Sequence, residues 1–91
     1  MKTPGDNFLE ILCEDIGIKK IENKDMVLTM KEIGVDSLNI LEIIMALEED
    51  LNIEITDDEA AVIFGAGRSN TVFQAKNEID ALFVRKTRAT S

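Results

Sequence analysis

Residues 33–51 read IGVDSLNILEIIMALEEDL, and this stretch decides how the rest of the chain is organised. Asp36 is a residue type favoured at helix N-caps, and from Ser37 to about Leu51 the apolar residues recur at helical spacing. The stretch therefore predicts a long helix that begins with a serine. The hydroxyl of Ser37 needs an explanation, because the chain contains no histidine that would activate it.

The predicted helix has two apolar faces when its residues are placed about 100° apart on a wheel. One stripe, expected to face the core, contains Ile40, Ile43, Ile44, Leu47 and Leu51. A second face, in line with Ser37, contains Leu38, Leu41, Glu42, Met45, Glu48 and Glu49. This second face is either a docking strip, where carboxylates attract a partner and apolar side chains hold it, or a surface covered by residues 18–35 or by a short neighbouring helix.

Three further helices are predicted from capping residues and apolar spacing. The first opens at Thr3-Pro4 or at Asp6 and stops at Gly17, with Phe8, Leu9, Leu12 and Ile16 on its apolar face. A short one begins with the capping box Thr56 to Glu59 and ends near Phe64. The last opens near Asn70 or Thr71, with Val72, Ala75, Ile79, Leu82 and Phe83 apolar and with cations after its last turn.

The segments between the helices complete the predicted fold. Residues 18–35 form a long connection whose scattered apolar residues are expected to pack on the helices: Ile18, Ile21, Met26, Val27, Leu28, Met30 and Ile33. Residues 65–70, GAGRSN, are expected to be a flexible connection. Because no segment alternates as a strand does, we predict one all-α domain over 1–91, an antiparallel four-helix bundle of three main helices and one short helix. Its helical core is expected over about 6–84, with a flexible tail over about 85–91.

Charge restricts the partners of this chain. The net charge is −8, and from Glu32 to Gly67 there are ten Asp or Glu residues and no Lys or Arg. Such a surface repels phosphate backbones and anionic lipid, so we expect no nucleic-acid binding and no membrane insertion, and we expect protein partners with basic patches. Solubility alone is the other explanation of the charge.

The single cysteine and the lack of long apolar runs indicate the cellular compartment in which the protein is expected. Cys13 has no partner for an internal disulfide and lies in the apolar pattern of the first helix, so a core or boundary role is expected. The chain has no signal-peptide pattern and no apolar run of about 18 residues. We therefore expect a cytoplasmic protein.

Catalysis and metal binding are disfavoured by the residues present. Ser37 lacks a histidine, and no lysine lies between Glu32 and Gly67, so the serine has no base to make it a nucleophile. A helix-loop-helix calcium site starting at Asp50 would place Ile55 and Ala61 where glycine and glutamate are required, so no metal site is expected. Ser37 is then either part of ordinary helix-start chemistry or a residue modified by another enzyme, because backbone donors at a helix N-terminus favour a phosphate-type group.

The run from Gly34 to Leu38, with Leu41-Glu42 and Met45 to Glu49, resembles the attachment motif and second helix of acyl carrier proteins. The resemblance continues through Leu51 to Ile55 and Thr56 to Ala60, which are similar to the family's next loop and helix start. It covers most of the chain. A bare Asp-Ser-Leu is a weak motif, whereas the combined run is specific.

The resemblance implies a carrier that catalyses nothing itself. Ser37 would receive 4'-phosphopantetheine from coenzyme A through a magnesium-dependent phosphopantetheinyl transferase, and Asp36 would help to organise that modification. The cofactor thiol would carry acyl groups as thioesters to synthase or acyl-transferring enzymes, and the carrier is expected to be a monomer. The implied partner-recognition residues are Leu38, Leu41, Glu42, Met45, Glu48 and Glu49.

Some residues depart from the family pattern. Asn39 stands where the family often has an acid, the 65–70 connection looks longer than usual, and Arg68 is the only base between Lys31 and Lys76. We therefore favour a specialised carrier over the general fatty-acid one, with a fatty-acyl, lipid or polyketide cargo. Two alternatives stay open: a free-standing carrier of an aminoacyl or aryl intermediate, and an unmodified acidic interaction module.

Overall fold

A computed structural model describes residues 2–88, which form six α-helices and one 3-10 turn and no β-strand. The helices are α1 (Pro4–Ile16), α2 (Asn23–Met26), α3 (Met30–Ile33), α4 (Ser37–Leu51), α5 (Asp57–Phe64) and α6 (Val72–Arg88), and the 3-10 turn is η1 (Ala66–Arg68). The predicted all-α bundle is confirmed: α1, α4 and α6 are the three main helices and α5 is the short one. The two single-turn helices α2 and α3 lie inside the segment predicted as a long connection.

Local capping explains where the main helices begin. The hydroxyl of Thr3 accepts a hydrogen bond from the Asp6 backbone N–H at 3.1 Å, and the Asp6 carboxylate accepts one from the Thr3 N–H at 3.0 Å. Thr56 and Glu59 form the same reciprocal pair before α5, as predicted. At the other end of α1, Gly17 is left-handed with φ of 77°, which suits a residue without a Cβ.

The core lies between α1, α4, α5 and α6. The predicted inner stripe of α4 is confirmed, since Ile43, Ile44 and Leu47 are buried and Ile40 and Leu51 pack against the core. Phe8 of α1 and Phe64 of α5 meet edge to face, with ring centroids 6.2 Å apart. The other fully buried side chains are Leu12, Met30, Val35, Ile63, Val72, Ala75, Ile79 and Leu82.

Polar contacts fix how the long helices are arranged. The Asn39 side chain at the start of α4 donates a hydrogen bond to Asp15 at the end of α1. At the opposite end, a hydrogen bond to Glu10 is the main cause of a raised pKa for Lys2, and the charge of Asp50 near the end of α4 adds to it. The two helices are therefore antiparallel, as predicted. The backbone N–H of Gly5 donates to Asp80 of α6 at 2.7 Å, which ties the start of α1 to the middle of α6.

Residues 18–35 pack on the helices through backbone as well as side chains. Thr29 pairs with Thr71 in an isolated β-bridge, and the Met30 N–H donates to the Asn70 carbonyl at 2.9 Å. Met30 is fully buried, and Ile21, Met26 and Ile33 pack against the core, as expected. The expectation is wrong for Val27, which is 72% exposed, and for Ile18, which is 38% exposed. Val27 follows the last residue of α2 and precedes the bridge between Thr29 and Thr71. The next apolar residue after the bridge, Met30, is buried.

The 65–70 connection is structured and was wrongly expected to be flexible. It contains η1, and the Asn70 side-chain amide donates to the carbonyls of Val62 at 2.9 Å and Ile63 at 3.0 Å. Gly65 has φ of 82° and ψ of 161°, a conformation essentially restricted to glycine. These bonds close the turn onto the end of α5, and the bond from the Met30 N–H to the Asn70 carbonyl joins it to residues 28–35.

The last helix is longer than predicted. The helical core was expected to end near residue 84, but α6 continues to Arg88. Lys86 forms an ion pair with Glu59 of α5 at 3.0 Å, and the Thr87 hydroxyl donates to the Phe83 carbonyl at 2.8 Å, so the extra turn has partners. The rest of the expected tail, 89–91, lies outside the described residues. Between residues 2 and 88 there is no helix with the length and apolar character that crossing a bilayer requires.

Candidate functional site

Ser37 is the first residue of α4, and its side chain is exposed. The preceding turn places it there: Gly34 ends α3 with φ of 104°, and Val35 is buried and donates its backbone N–H to the Met30 carbonyl at 2.9 Å. Val35 thus anchors the turn in the core, and the two residues after it emerge at the surface. The structure presents the Ser37 hydroxyl at the tip of the bundle.

The start of α4 is capped by its neighbours and not by Ser37. The Asp36 carboxylate accepts a hydrogen bond from the Asn39 N–H at 2.8 Å, and the Asn39 side-chain oxygen accepts one from the Asp36 N–H at 3.0 Å. Across residues 2–88, no side-chain hydrogen bond involves the Ser37 hydroxyl. Ordinary helix-start chemistry therefore explains Asp36, as one interpretation held, but it leaves Ser37 without a structural task.

An acidic group surrounds this helix start. The Asn39 side-chain amide donates to Asp15 at 2.5 Å, and the exposed Glu42 carboxyl lies near the same carboxyl group. The charge of Asp15 is the largest cause of a raised pKa for Glu42, and Asp36 adds to it. Three carboxyl groups therefore lie close together beside Ser37. Basic side chains of a partner protein would neutralise their charge.

The second face of α4 is exposed, so the interpretation in which neighbouring segments cover it is wrong. Leu38 is 62% exposed, Leu41 56% and Met45 59%, so neither residues 18–35 nor α5 covers them. We call Leu38, Leu41, Glu42, Met45, Glu48 and Glu49 the α4 strip. Val62 of α5 is also exposed at 54%, which the spacing of apolar residues in the sequence does not indicate.

Glu48 differs from the other acids of the α4 strip. Its carboxylate accepts a hydrogen bond from the backbone N–H of Ile55 at 2.9 Å, and its side chain is half-buried. It therefore holds the loop between α4 and α5, while Glu42 and Glu49 remain exposed. The wheel placed all three together, because a wheel contains no information on where the following loop returns.

Arg68 is close to this site in space although it is distant in sequence. Its Nη1 donates to the Val35 carbonyl at 2.9 Å, two residues before Ser37 along the chain. In the sequence, Arg68 is an isolated base with no assigned role. The signal was its isolation, since the sequence otherwise provides no cation from 32 to 75.

Cys13 and the cleft beside it lie elsewhere. Cys13 is buried, as expected, and burial raises the pKa of its thiol. An open cleft of about 530 Å³ runs along α1 there, and its lining includes Leu9, Ile18 and Lys20 but no residue of α4. No group of three or more metal-binding side chains comes together within residues 2–88.

The arrangement fits a covalently attached cofactor. An exposed hydroxyl without an intramolecular hydrogen bond is accessible to a modifying enzyme, and the space beside Gly34 is open, since no atom lies within 4 Å of where a Cβ would be. Ser37 is the residue at which the resemblance would place such a group.

Comparisons with known proteins agree with this geometry. The sequence matches a family described as a phosphopantetheine attachment site over residues 6–62. The acyl carrier protein of Wolinella succinogenes is 39% identical over 62 residues, which cover 68% of this chain and 82% of that protein. The acyl carrier protein of Sulfurovum sp. strain NBC37-1 is 37% identical over 62 residues, 68% of this chain and 83% of its own. The chain therefore belongs to the acyl carrier protein family, whose members are carriers rather than enzymes and use 4'-phosphopantetheine as their cofactor.

Proposed function

We propose that Ser37 is the residue that carries 4'-phosphopantetheine. The observation that carries this proposal is an exposed hydroxyl at the start of α4 that the capping of the helix does not use. When bound, the cofactor supplies a thiol at the end of a flexible arm, which holds acyl groups as thioesters. The protein contributes a rigid anchor for the arm and a surface that partner enzymes recognise.

Asp36 acts as a positioning residue in this proposal. Its carboxylate is held by the Asn39 N–H, so it fixes the backbone on which Ser37 stands. A modifying enzyme thereby meets the serine on an ordered backbone, with little backbone freedom to lose on binding. The two exposed acids of the α4 strip, Glu42 and Glu49, add attraction for basic side chains.

The α4 strip is the proposed recognition face for the phosphopantetheinyl transferase and for synthase or acyl-transferring enzymes. Exposed apolar side chains at helical spacing beside exposed carboxylates support this, because charge steers the encounter and buried apolar contacts provide most of the affinity. Glu48 has the weakest claim, since it is already engaged by the Ile55 N–H. Partners with basic patches are expected.

Within the acyl carrier protein family, we expect this chain to serve one specialised pathway. A specialised carrier of a fatty-acyl, lipid or polyketide intermediate is supported by the structured 65–70 connection and by Arg68 beside the attachment point. The buried thiol of Cys13 suits a reducing compartment such as the cytoplasm, where we expect the carrier to act as a monomer.

Intact-mass measurement tests the attachment residue. The protein is incubated with coenzyme A, magnesium and a broad-specificity phosphopantetheinyl transferase, and the expected result is the gain of one phosphopantetheine. Ser37→Ala should gain nothing, whereas Ser69→Ala, a matched control at another exposed serine, should be modified normally. An equal gain in Ser37→Ala, or no gain in any variant, would overturn the proposal, and the second result would favour an unmodified interaction module.

A further inference from the structure

Arg68 is a single cation close to the most anionic segment of this sequence. Between Lys31 and Lys76 it is the only Lys or Arg, and there are ten Asp or Glu residues from Glu32 to Glu59. Its own side chain is half-buried and makes no ion pair with any of these acids within the described range. The charge is therefore not used to neutralise a carboxylate of this segment.

The turn that carries Arg68 has an unusual backbone. Arg68 itself has φ of 61°, a left-handed conformation that side chains with a Cβ rarely adopt, and it follows Gly67 at φ of 64°. Its backbone N–H donates to the Gly65 carbonyl at 3.1 Å. Disfavoured conformations of this kind persist where the surroundings fix them and are concentrated at functional sites. Here they direct the side chain towards the turn before Ser37.

The guanidinium lies beside the backbone that leads to Ser37. Nη1 donates to the Val35 carbonyl at 2.9 Å, and Ser37 follows two residues later, at most roughly 7 Å further along the backbone. A guanidinium has several N–H donors in a planar fork, and this bond uses one of them. Among residues 2–88 no acceptor bonds to the remaining N–H donors of Arg68. These donors are available to an anion.

We propose that Arg68 is a positioning residue for the cofactor, whose phosphodiester oxygens pair with the remaining guanidinium donors. This inference rests on the proposed attachment at Ser37. A planar guanidinium matches the oxygens of a phosphate group and pairs with them at short distance, which a lysine does less well. The contact draws the base of the arm towards the 65–70 turn, and the same charge attracts anionic coenzyme A to a surface that otherwise repels it.

A purely structural role for Arg68 makes a different prediction. If the side chain only ties η1 to the Val35 carbonyl, then attaching the cofactor leaves its environment unchanged. Arg68→Gln removes the charge, but its amide nitrogen lies two bonds closer to the backbone than Nη1, whereas Arg68→Lys keeps a charged donor of more similar reach for that carbonyl. Thermal melting of the unmodified variants reports whether the tie to Val35 survives in each.

The test compares unmodified and modified protein by NMR. In the wild type, the Arg68 Nε–Hε signal, assigned by its absence from Arg68→Gln, should shift when the cofactor is attached, while those of Arg85 and Arg88 stay in place. The ³¹P resonance of the modified protein should move in Arg68→Gln and not in Arg85→Gln, which makes the same charge change on α6. Transferase kcat/KM should fall several-fold in Arg68→Gln alone.

The outcomes separate this inference from the attachment itself. If intact mass shows no modification at Ser37, the proposed function fails. If modification is normal but the Arg68 signal and the ³¹P resonance are unaffected, the positioning role is overturned and the attachment stands. Should Arg68→Gln fail to fold, the wild-type Nε–Hε comparison still decides, with assignment taken from Arg68→Lys.

Discussion

The Asn39 side-chain amide donates a hydrogen bond of 2.5 Å to the Asp15 carboxylate and joins the first turn of α4 to the last turn of α1. The same side chain accepts a bond from the Asp36 N–H through its oxygen. An amide does both, whereas an ionised carboxylate has no donor. Asparagine in place of the acid expected from the family resemblance thus has a structural reason: its side chain bridges the Asp15 carboxylate and the backbone N–H of Asp36.

Asn39→Asp should destabilise the fold by about 1 to 2 kcal/mol, since the half-buried Asp15 loses its donor and faces a further negative charge. The measurement is the urea unfolding midpoint at neutral pH. Asn77→Asp, which adds the same charge to an exposed position on α6, should change stability by less than about 0.5 kcal/mol. Equal losses in the two variants would contradict the bridging role.

The Glu42 and Asp15 carboxyl groups predict a specific pH dependence. Contact with Asp15 raises the pKa of Glu42 in the folded state, so the folded protein binds this proton more tightly than the unfolded chain does. The contribution to stability is therefore favourable at low pH. It is lost as pH rises from the unfolded value, about 4.3, through the raised folded value.

Unfolding free energies measured across that range test the assignment. Wild type should lose stability with rising pH relative to Glu42→Gln, and Glu42→Gln should be the more stable protein at neutral pH. Glu49→Gln removes one charge from an exposed site on the same helix and serves as the control. If Glu42→Gln and the wild type show the same dependence on pH, the carboxyl contact does not form in solution.

Local signals made most of the fold predictable. Thr3, Asp36 and Thr56 each cap a helix through a partner three residues ahead, and Gly17 ends α1, so the boundaries of α1, α4 and α5 could be obtained from short stretches of sequence. The order of the connections depends instead on distant partners. Met30 pairs with Asn70, and Arg68 with Val35, and no pattern within either segment indicates these contacts. The extra turn of α6 likewise depends on Glu59.

The candidate site shows the same division. The unusual position of Ser37 and the two apolar faces of α4 follow from sequence spacing alone. Whether Leu38, Leu41 and Met45 are covered depends on the path of residues 18–35, which the spacing does not contain. For the same reason the engagement of Glu48 by Ile55 was missed.

Shortening an apolar side chain of the α4 strip should weaken partner binding without unfolding the carrier. Leu41 is 56% exposed, so Leu41→Ala is expected to change stability by less than about 0.5 kcal/mol. Contact residues of this kind contribute about 1 to 2 kcal/mol to association, which corresponds to roughly a five- to thirtyfold rise in the transferase KM for the carrier. Steady-state kinetics with intact-mass detection measure it.

Val84→Ala is the matched control for this prediction, because Val84 is an exposed apolar residue on α6, outside the α4 strip. Its KM should equal that of the wild type. A similar rise in both variants would mean that the transferase does not recognise α4 in particular. A large fall in the melting temperature of Leu41→Ala would show that the side chain is packed and not exposed.

The turn after α5 depends on a single glycine, and its replacement should affect both stability and the site. Gly65 adopts φ of 82° and ψ of 161°, and a Cβ there would lie 2.8 Å from the Asn70 backbone nitrogen. Gly65→Ala should therefore cost about 3 kcal/mol, a fall in melting temperature of about 12 °C or more for a domain of this size. Gly67→Ala, at φ of 64° with open space around it, should cost only about 1 kcal/mol.

Equal falls in the melting temperatures of the two variants would show that the close approach of residue 65 to Asn70 is absent in solution. Because Gly65 also accepts the Arg68 N–H, the alanine variant should in addition disturb the NMR signal of Arg68.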